Sequence, residues 1–413
     1  MNDFANRVEA IRTDFPILDQ TIGKHPLIYL DNGATTQMPA AVLEALAAHY
    51  RTDNANVHRG IHTLSERSTA AFERARKTVQ SFVNAMSSDE IVFTGGTTDS
   101  INMVARAWED RVKPDATIAV TALEHHANFV PWQQLCKRTG ARFEVIPLTP
   151  EGDVDLDALG EVLHTQNVSL VAVAHVSNVL GCVSPIRTIA DMAHEHDAHL
   201  LVDAAQSIRH ENVNVQEFDC DFLCFSGHKM LGPTGIGVLY GKRDILSELS
   251  PVRFGGEMVD KVSTEKTTFE ELPLRFEAGT PNFSGAIALA AAIDYIESTG
   301  RADIAAYEHE LTEYAEHALE SITGLRILGK PAMRAGCLSF TVDDVHPFDL
   351  ATFMDKQGVA LRSGNQCAQP LLHEVYEVQN VTRLSPAFYN TTAEIDSCID
   401  LLGRTIAMLR AAR

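Results

Sequence analysis

A chain of 413 residues exceeds what one hydrophobic core usually fills, so a large domain with a smaller companion is expected. Its 45% hydrophobic and 22% charged content is that of a soluble globular protein. Against 34 Lys and Arg stand 55 Asp and Glu, a formal charge of -21 that repels a phosphate backbone and argues against nucleic acid as a partner. No apolar run approaches the roughly 20 residues of a membrane helix, and "MNDFANRVEAIRTDF" lacks a signal-peptide core, so a cytoplasmic protein without membrane contact is expected. Seven cysteines without framework spacing fit a reducing compartment.

Along the chain, "HTLSERSTAAFERARKTVQSFV" sets Thr63 and Glu66 at capping-box spacing and repeats Leu64, Phe72, Ala75, Val79 and Phe82 at helical intervals, which predicts a surface helix. From Ile91 to Tyr240, short β-rich runs alternate with helical patterns: "IVFTGG", "TIAVTALEHH", "RFEVIPL", "SLVAVAHVSN", "HLLVDAAQS", "DFLCFSG" and "GVLYG". Such alternation predicts a mostly parallel α/β sheet, whose ligands gather beyond the carboxyl ends of the strands.

The polar clusters fall at those ends. After "IVFT", Gly95-Gly96-Thr97-Thr98 opens a helix carrying Ile101, Val104 and Trp108 on one face; free amides and hydroxyls there suit a phosphate, although an ordinary capped turn has the same composition. His125 and His126 follow the next strand, either as functional imidazoles or as satisfied polar residues. Asp203 ends the run Leu200 to Val202, where an unpartnered carboxylate is costly, so a cation is expected to meet it. Cys220 and Cys224 have no second pair for a zinc site and read as core. Lys229 stands in "FSGHKMLGPTG", just past a strand; alone it reads as a solvated loop lysine. A phosphate cradle, a planar residue, a strand-end acid and a strand-end lysine are together the parts that hold pyridoxal phosphate: Lys229 to form the Schiff base, Asp203 at the pyridine nitrogen, His126 over the ring.

After Pro281, "SGAIALAAAIDYIESTG" predicts a helix ended by Gly300. The boundary is placed near it: residues 23–295 as a large cofactor-binding domain, 1–22 and 296–413 as a small α+β domain. His194, His196 and His199 read as an exposed helix end, with no metal site expected.

Over almost its whole length the sequence resembles the fold-type I pyridoxal-phosphate enzymes of the class V aminotransferase group, and within it the group II cysteine desulfurases of SufS and CsdA type. The resemblance is carried by "YLDNGATTQMP", "NANVHRGIH", "GGTTDSINMVA", "EHHANFVPW", "HVSNVLG", "VDAAQS", "SGHKMLGPTGIGVLYG", "RFEAGTPN", "RSGNQCAQPLL" and "FYNT". It implies Lys229 as the cofactor lysine, Asp203 at the pyridine nitrogen, Gln206 at the ring hydroxyl, His126 stacked on the ring, and Thr97, Thr98, Ser226 and His228 at the phosphate. Thr280 would reach the phosphate of a partner subunit, so a homodimer is implied. Cys367 occupies the position of the nucleophile, and Arg383 that of the arginine binding the substrate carboxylate, with Asn178 and Arg362 assisting. Asn365-Gln366 stands where histidines are common in the group, and Gly95 where an arginine is frequent.

The activity so implied is conversion of L-cysteine to L-alanine with a persulfide on Cys367, passed to a SufE-like or CsdE-like acceptor protein and thence toward iron-sulfur cluster assembly. Selenocysteine lyase, another class V lyase or aminotransferase, and a silent sulfur-carrier scaffold are the competing readings.

Overall fold

A computed structural model describes residues 3–412; the expected small domain's residues 1, 2 and 413 lie outside the described residues. Each of the seven β-rich runs forms a strand: β1 (Ile91–Thr94), β2 (Thr117–Thr121), β3 (Arg142–Ile146), β4 (Val168–Ala174), β5 (His199–Asp203), β6 (Phe222–Ser226) and β7 (Gly237–Gly241). They make one sheet in the order β1-β7-β6-β5-β4-β2-β3. β7 runs antiparallel to both neighbours, and every other pair is parallel.

The near-continuous apolar runs have a physical cause. Side chains alternate across a strand, and here each face has its own core: Leu200, Val202, Leu223 and Phe225 enter one, Leu201, Phe222 and Cys224 the other. A sheet covered on both faces leaves few polar positions in its central strands, and the one inside β4, Ser169, accepts the Trp108 Nε1–H at 3.1 Å. The Ile101, Val104 and Trp108 face of the helix Thr97–Ala107 closes the second core.

The helix Thr63–Phe82 buries Phe72, Ala75, Val79 and Phe82 as expected, against the helix Phe283–Thr299. Two details differ from the sequence reading. The N-cap is His62, whose ring Nδ1 accepts the Ser65 N–H, so Thr63 and Glu66 form no capping box. Leu64 lies in the first turn, beyond the packed part of the apolar stripe, and is exposed.

This helix also carries Arg76, whose guanidinium is buried and meets buried Glu277 at 2.6 Å. Glu277 in turn accepts the Phe93 N–H at 2.7 Å, and Arg76 donates to the Ile91 carbonyl at 2.9 Å, so the pair clamps β1. Without Glu277 the buried Arg76 guanidinium keeps only the half-exposed Glu73 as a counter-charge, at 3.0 Å, and the Phe93 N–H loses its acceptor, so Glu277→Ala is expected to cost about 3 kcal/mol of stability. A urea midpoint equal to that of the wild type would contradict this.

Gly300, at φ +105°, ends Phe283–Thr299, and the next helix, Arg301–Glu320, begins at once. A second, all-antiparallel sheet follows, in the order β8-β9-β11-β10: β8 (Leu325–Ile327), β9 (Leu338–Val342), β10 (Arg362–Gly364) and β11 (Val381–Leu384). The helices Arg301–Glu320 and Pro347–Asp355 pack with it, and Thr392–Ala411 packs on both of these helices. Ile28–Tyr29 pairs with Val359–Ala360, so the chain before the large sheet is tied directly to the C-terminal segment. The carboxyl ends of β4, β5 and β6 face the β10 to β11 region across a chamber.

Candidate active site

The chamber, of about 240 Å3, brings together Lys229, Asp203, Gln206, Thr97, Thr98, Ser226, His228, Asn178, Arg362, Cys367 and Arg383. One position expected there, His126, is absent from its wall; its sequence neighbour His125 lines the chamber in its place. The reason lies in the cysteine loop: the His126 N–H donates to the Cys367 carbonyl at 2.7 Å and its Nε2 accepts the Gln369 N–H at 3.1 Å, which holds the ring against the back of that loop. Thr280, expected at the phosphate of a partner subunit, is exposed and away from this chain's own chamber.

Lys229 follows β6 on a single tight turn, Gly227–Lys229. Burial holds its ammonium below the ordinary lysine range; Asp203 opposes this and the Arg383 charge adds to it. A lysine so placed more readily supplies the neutral amine that acts as nucleophile or base. Burial likewise raises the Asp203 carboxyl, against the Ala205 N–H at 2.8 Å and the Lys229 charge. The cation expected at Asp203 is not a side chain, for among the described ion pairs none includes it. A buried carboxylate facing the chamber with one backbone donor thus has room for a ligand's positively charged N–H.

The phosphate end has a similar fit. The helix Thr97–Ala107 starts from Gly96, at φ +143°, with no side-chain cap, so first-turn amides remain for an anion. Ser226 Oγ accepts the Thr97 N–H and pairs with Thr97 Oγ1, each at 2.8 Å, fixing the turn to β6. Gly237 is required for this approach, because a Cβ there would come within 2.4 Å of Gly96 Cα. The planar wall is His125, pushed down to about 3 by burial and by the Lys229, His126 and Arg383 charges, which leaves a neutral ring suited to stacking. His228 is held down, at about 4, by burial and Lys229.

On the opposite side Arg383 is 2% exposed. It donates to the Asn178 carbonyl at 2.9 Å and to Asp31 Oδ1 at 3.1 Å, with Arg362 3.8 Å from the same carboxylate. Gly33 lets the chain cross the guanidinium face, since a Cβ there would lie 3.1 Å from Arg383 Cζ; its carbonyl accepts Gln206 Nε2 at 2.9 Å. The half-buried Cys367 sits in a loop fixed at several points. Asn365 Oδ1 accepts the Cys367 N–H at 3.0 Å, a local turn that suits asparagine at this position. Asn178 Nδ2 donates to the Gln366 carbonyl at 2.7 Å. Gln366 and Cys367 both lie in the left-handed region, at φ +53° and +55°.

Sequence reasoning passed over two groups and chose the wrong histidine of the pair. Asp31 orients Arg383, and His125, not His126, lines the chamber. The second group passed over is Glu124, buried next to His125 and pushed up to about 8 by burial, where it accepts Thr121 Oγ1, Asn128 Nδ2 and the Ala174 N–H. All three residues stand in the quoted motifs, yet nothing local marks which way their side chains point. Among the described residues no cluster of His, Cys, Asp and Glu is placed to hold a metal ion.

A buried lysine and acid across a ring-sized space, an uncapped helix N-terminus at one end and an arginine with a cysteine at the other define an amino-acid-handling cofactor site. Residues 28–398 match the family model described as aminotransferase class-V, and the chain belongs to that family. It is 46% identical over 396 residues to a probable cysteine desulfurase of Halalkalibacterium halodurans, covering 96% of this chain and 97% of the relative. To a cysteine desulfurase of Escherichia coli it is 45% identical over 404 residues, covering 97% and 99%. The crystal structure of the cysteine desulfurase CsdA from Escherichia coli superposes with a TM-score of 0.90 at 37% identity, over 97% of this chain and 98% of that one.

Proposed function

We propose that this chain is a pyridoxal-phosphate-dependent L-cysteine desulfurase, converting L-cysteine to L-alanine and leaving the sulfur as a persulfide on Cys367. The observation that carries the reading is the convergence of Lys229, Asp203, Arg383 and Cys367 on one chamber. When bound, pyridoxal phosphate supplies a ring that withdraws electrons from the substrate α-carbon.

This chain's residues do the rest. Lys229 Nζ holds the cofactor covalently between turnovers and moves the proton at the substrate Cα. The Asp203 carboxylate holds the ring N–H, His125 stacks on the ring, and Gln206 serves its hydroxyl. Thr97, Thr98, Ser226 and His228 hold the phosphate. Arg383, aimed by Asp31 and Asn178 and assisted by Arg362, fixes the substrate carboxylate. Cys367 Sγ attacks the substrate sulfur: the Cβ to sulfur bond breaks, a sulfur to sulfur bond forms, and a proton completes the alanine methyl group.

The test is incubation of the purified protein with L-cysteine. One alanine per added sulfur on Cys367, seen by mass spectrometry, is expected; alanine without persulfide, or no alanine, would refute the reading.

Further parts of the proposal are two domains, 23–295 and 1–22 with 296–413, and a homodimer in which exposed Thr280 serves the partner's phosphate. The chain is taken as cytoplasmic; among the described residues no helix is long and apolar enough to cross a membrane. The cysteine loop, tied to His126 and Asn178, has little reach, since even extended residues span only about 3.3 to 3.6 Å each. A SufE-like or CsdE-like acceptor protein therefore collects the sulfur at the chamber mouth, and turnover with it should exceed turnover with a small thiol alone.

A further inference from the structure

Beside Cys367 the chamber wall holds a buried amide without a hydrogen-bond partner. Gln366 is 6% exposed, lines the chamber, and buries both amide atoms, Nε2 and Oε1, without a hydrogen bond from the protein. A buried amide left with neither bond is destabilising, and such a group calls for a function or a ligand. Relaxation is restricted, because the Gln366 carbonyl holds Asn178 Nδ2 and the next carbonyl, of Cys367, holds the His126 N–H.

The chemistry of the amide narrows its partner. It needs a group that accepts from Nε2–H and donates to Oε1. A substrate carboxylate only accepts, and Arg383 already awaits it. A thiol does both: as S–H it donates to Oε1, and as an anion it accepts from Nε2–H. The amide serves either state without adding charge between Lys229 and Arg383. Its place next to the nucleophile puts it where the substrate sulfur must come.

We propose that the Gln366 amide contacts the sulfur end of the substrate and so sets specificity for it, an inference that rests on the desulfurase reading above. Holoenzyme of the wild type, Gln366→Met and Gln366→Glu is compared in two measurements. One is kcat/KM for alanine formation from L-cysteine. The other is the dissociation constant of L-alanine, which has the same carboxylate and amine but no sulfur, followed by cofactor absorbance. Methionine keeps the length and unbranched shape with no donor and only a weakly accepting sulfur; glutamate removes the N–H donors. In both variants kcat/KM for L-cysteine is expected to fall about tenfold, the loss of one buried hydrogen bond, while L-alanine binding stays within about twofold. Should one variant fail to bind cofactor, the other reads the same contact. An unchanged kcat/KM, or an equal loss of L-alanine binding, overturns the proposal and leaves the desulfurase reading intact. Wild-type holoenzyme that makes no alanine from L-cysteine overturns both.

Discussion

Cys367→Ala is expected to leave the cofactor in place and to lower alanine formation from L-cysteine on the order of 10³-fold or more, as loss of an attacking group does. The two effects separate because the thiol belongs to the sulfur chemistry alone. The bonds that shape its loop use backbone and neighbours: Asn365 Oδ1 to the Cys367 N–H, His126 N–H to the Cys367 carbonyl, and Asn178 to Gln366. Alanine meets the same left-handed φ that cysteine tolerates, so the loop and the cofactor absorbance should persist. Alanine formation near the wild-type rate would mean another sulfur acts. Cys337, whose thiol burial raises against the Arg383 and Lys229 charges, is the group to replace next.

Lys229→Ala is expected to abolish the covalent link to the cofactor and to lower kcat/KM by at least about 10³-fold, the combined loss of attachment and of proton transfer at Cα. Borohydride reduction of the wild type should fix the cofactor on Lys229, identified by peptide mass. The nearest alternative in sequence, Lys242, is committed elsewhere: its ammonium lies 2.7 Å from Asp219 and 3.0 Å from Asp221, and these bonds hold its charge. Label on Lys242, or retention of a reducible link in the variant, would refute the assignment. Because burial already favours the neutral amine of Lys229, Lys229→Arg should be as inactive as the alanine variant; a guanidinium stays charged and forms no such link.

The sequence by itself determined the seven strands, the alternation that makes the sheet mostly parallel, and the positions of Thr97, Asp203, Ser226 and Lys229 at strand ends. These follow from local rules: a strand between two cores is mostly apolar, and the polar residues after its apolar run mark where it leaves the core. Tertiary structure alone decided the rest. His125 and His126 are indistinguishable in "EHHAN"; the docking of a loop over 240 residues away turns one ring to the chamber and the other to Gln369. Arg383 meets Asp31 across 352 positions, and Gln366 meets Asn178 across 188. Asp203, for which a local argument demanded a cation, forms no described ion pair with a side chain and feels Lys229 only through its charge. Periodicity and residue type report what each short segment buries. Which segments then meet depends on how the strand ends and loops of the two sheets come together around the chamber, and that meeting leaves the open positions a ligand must fill.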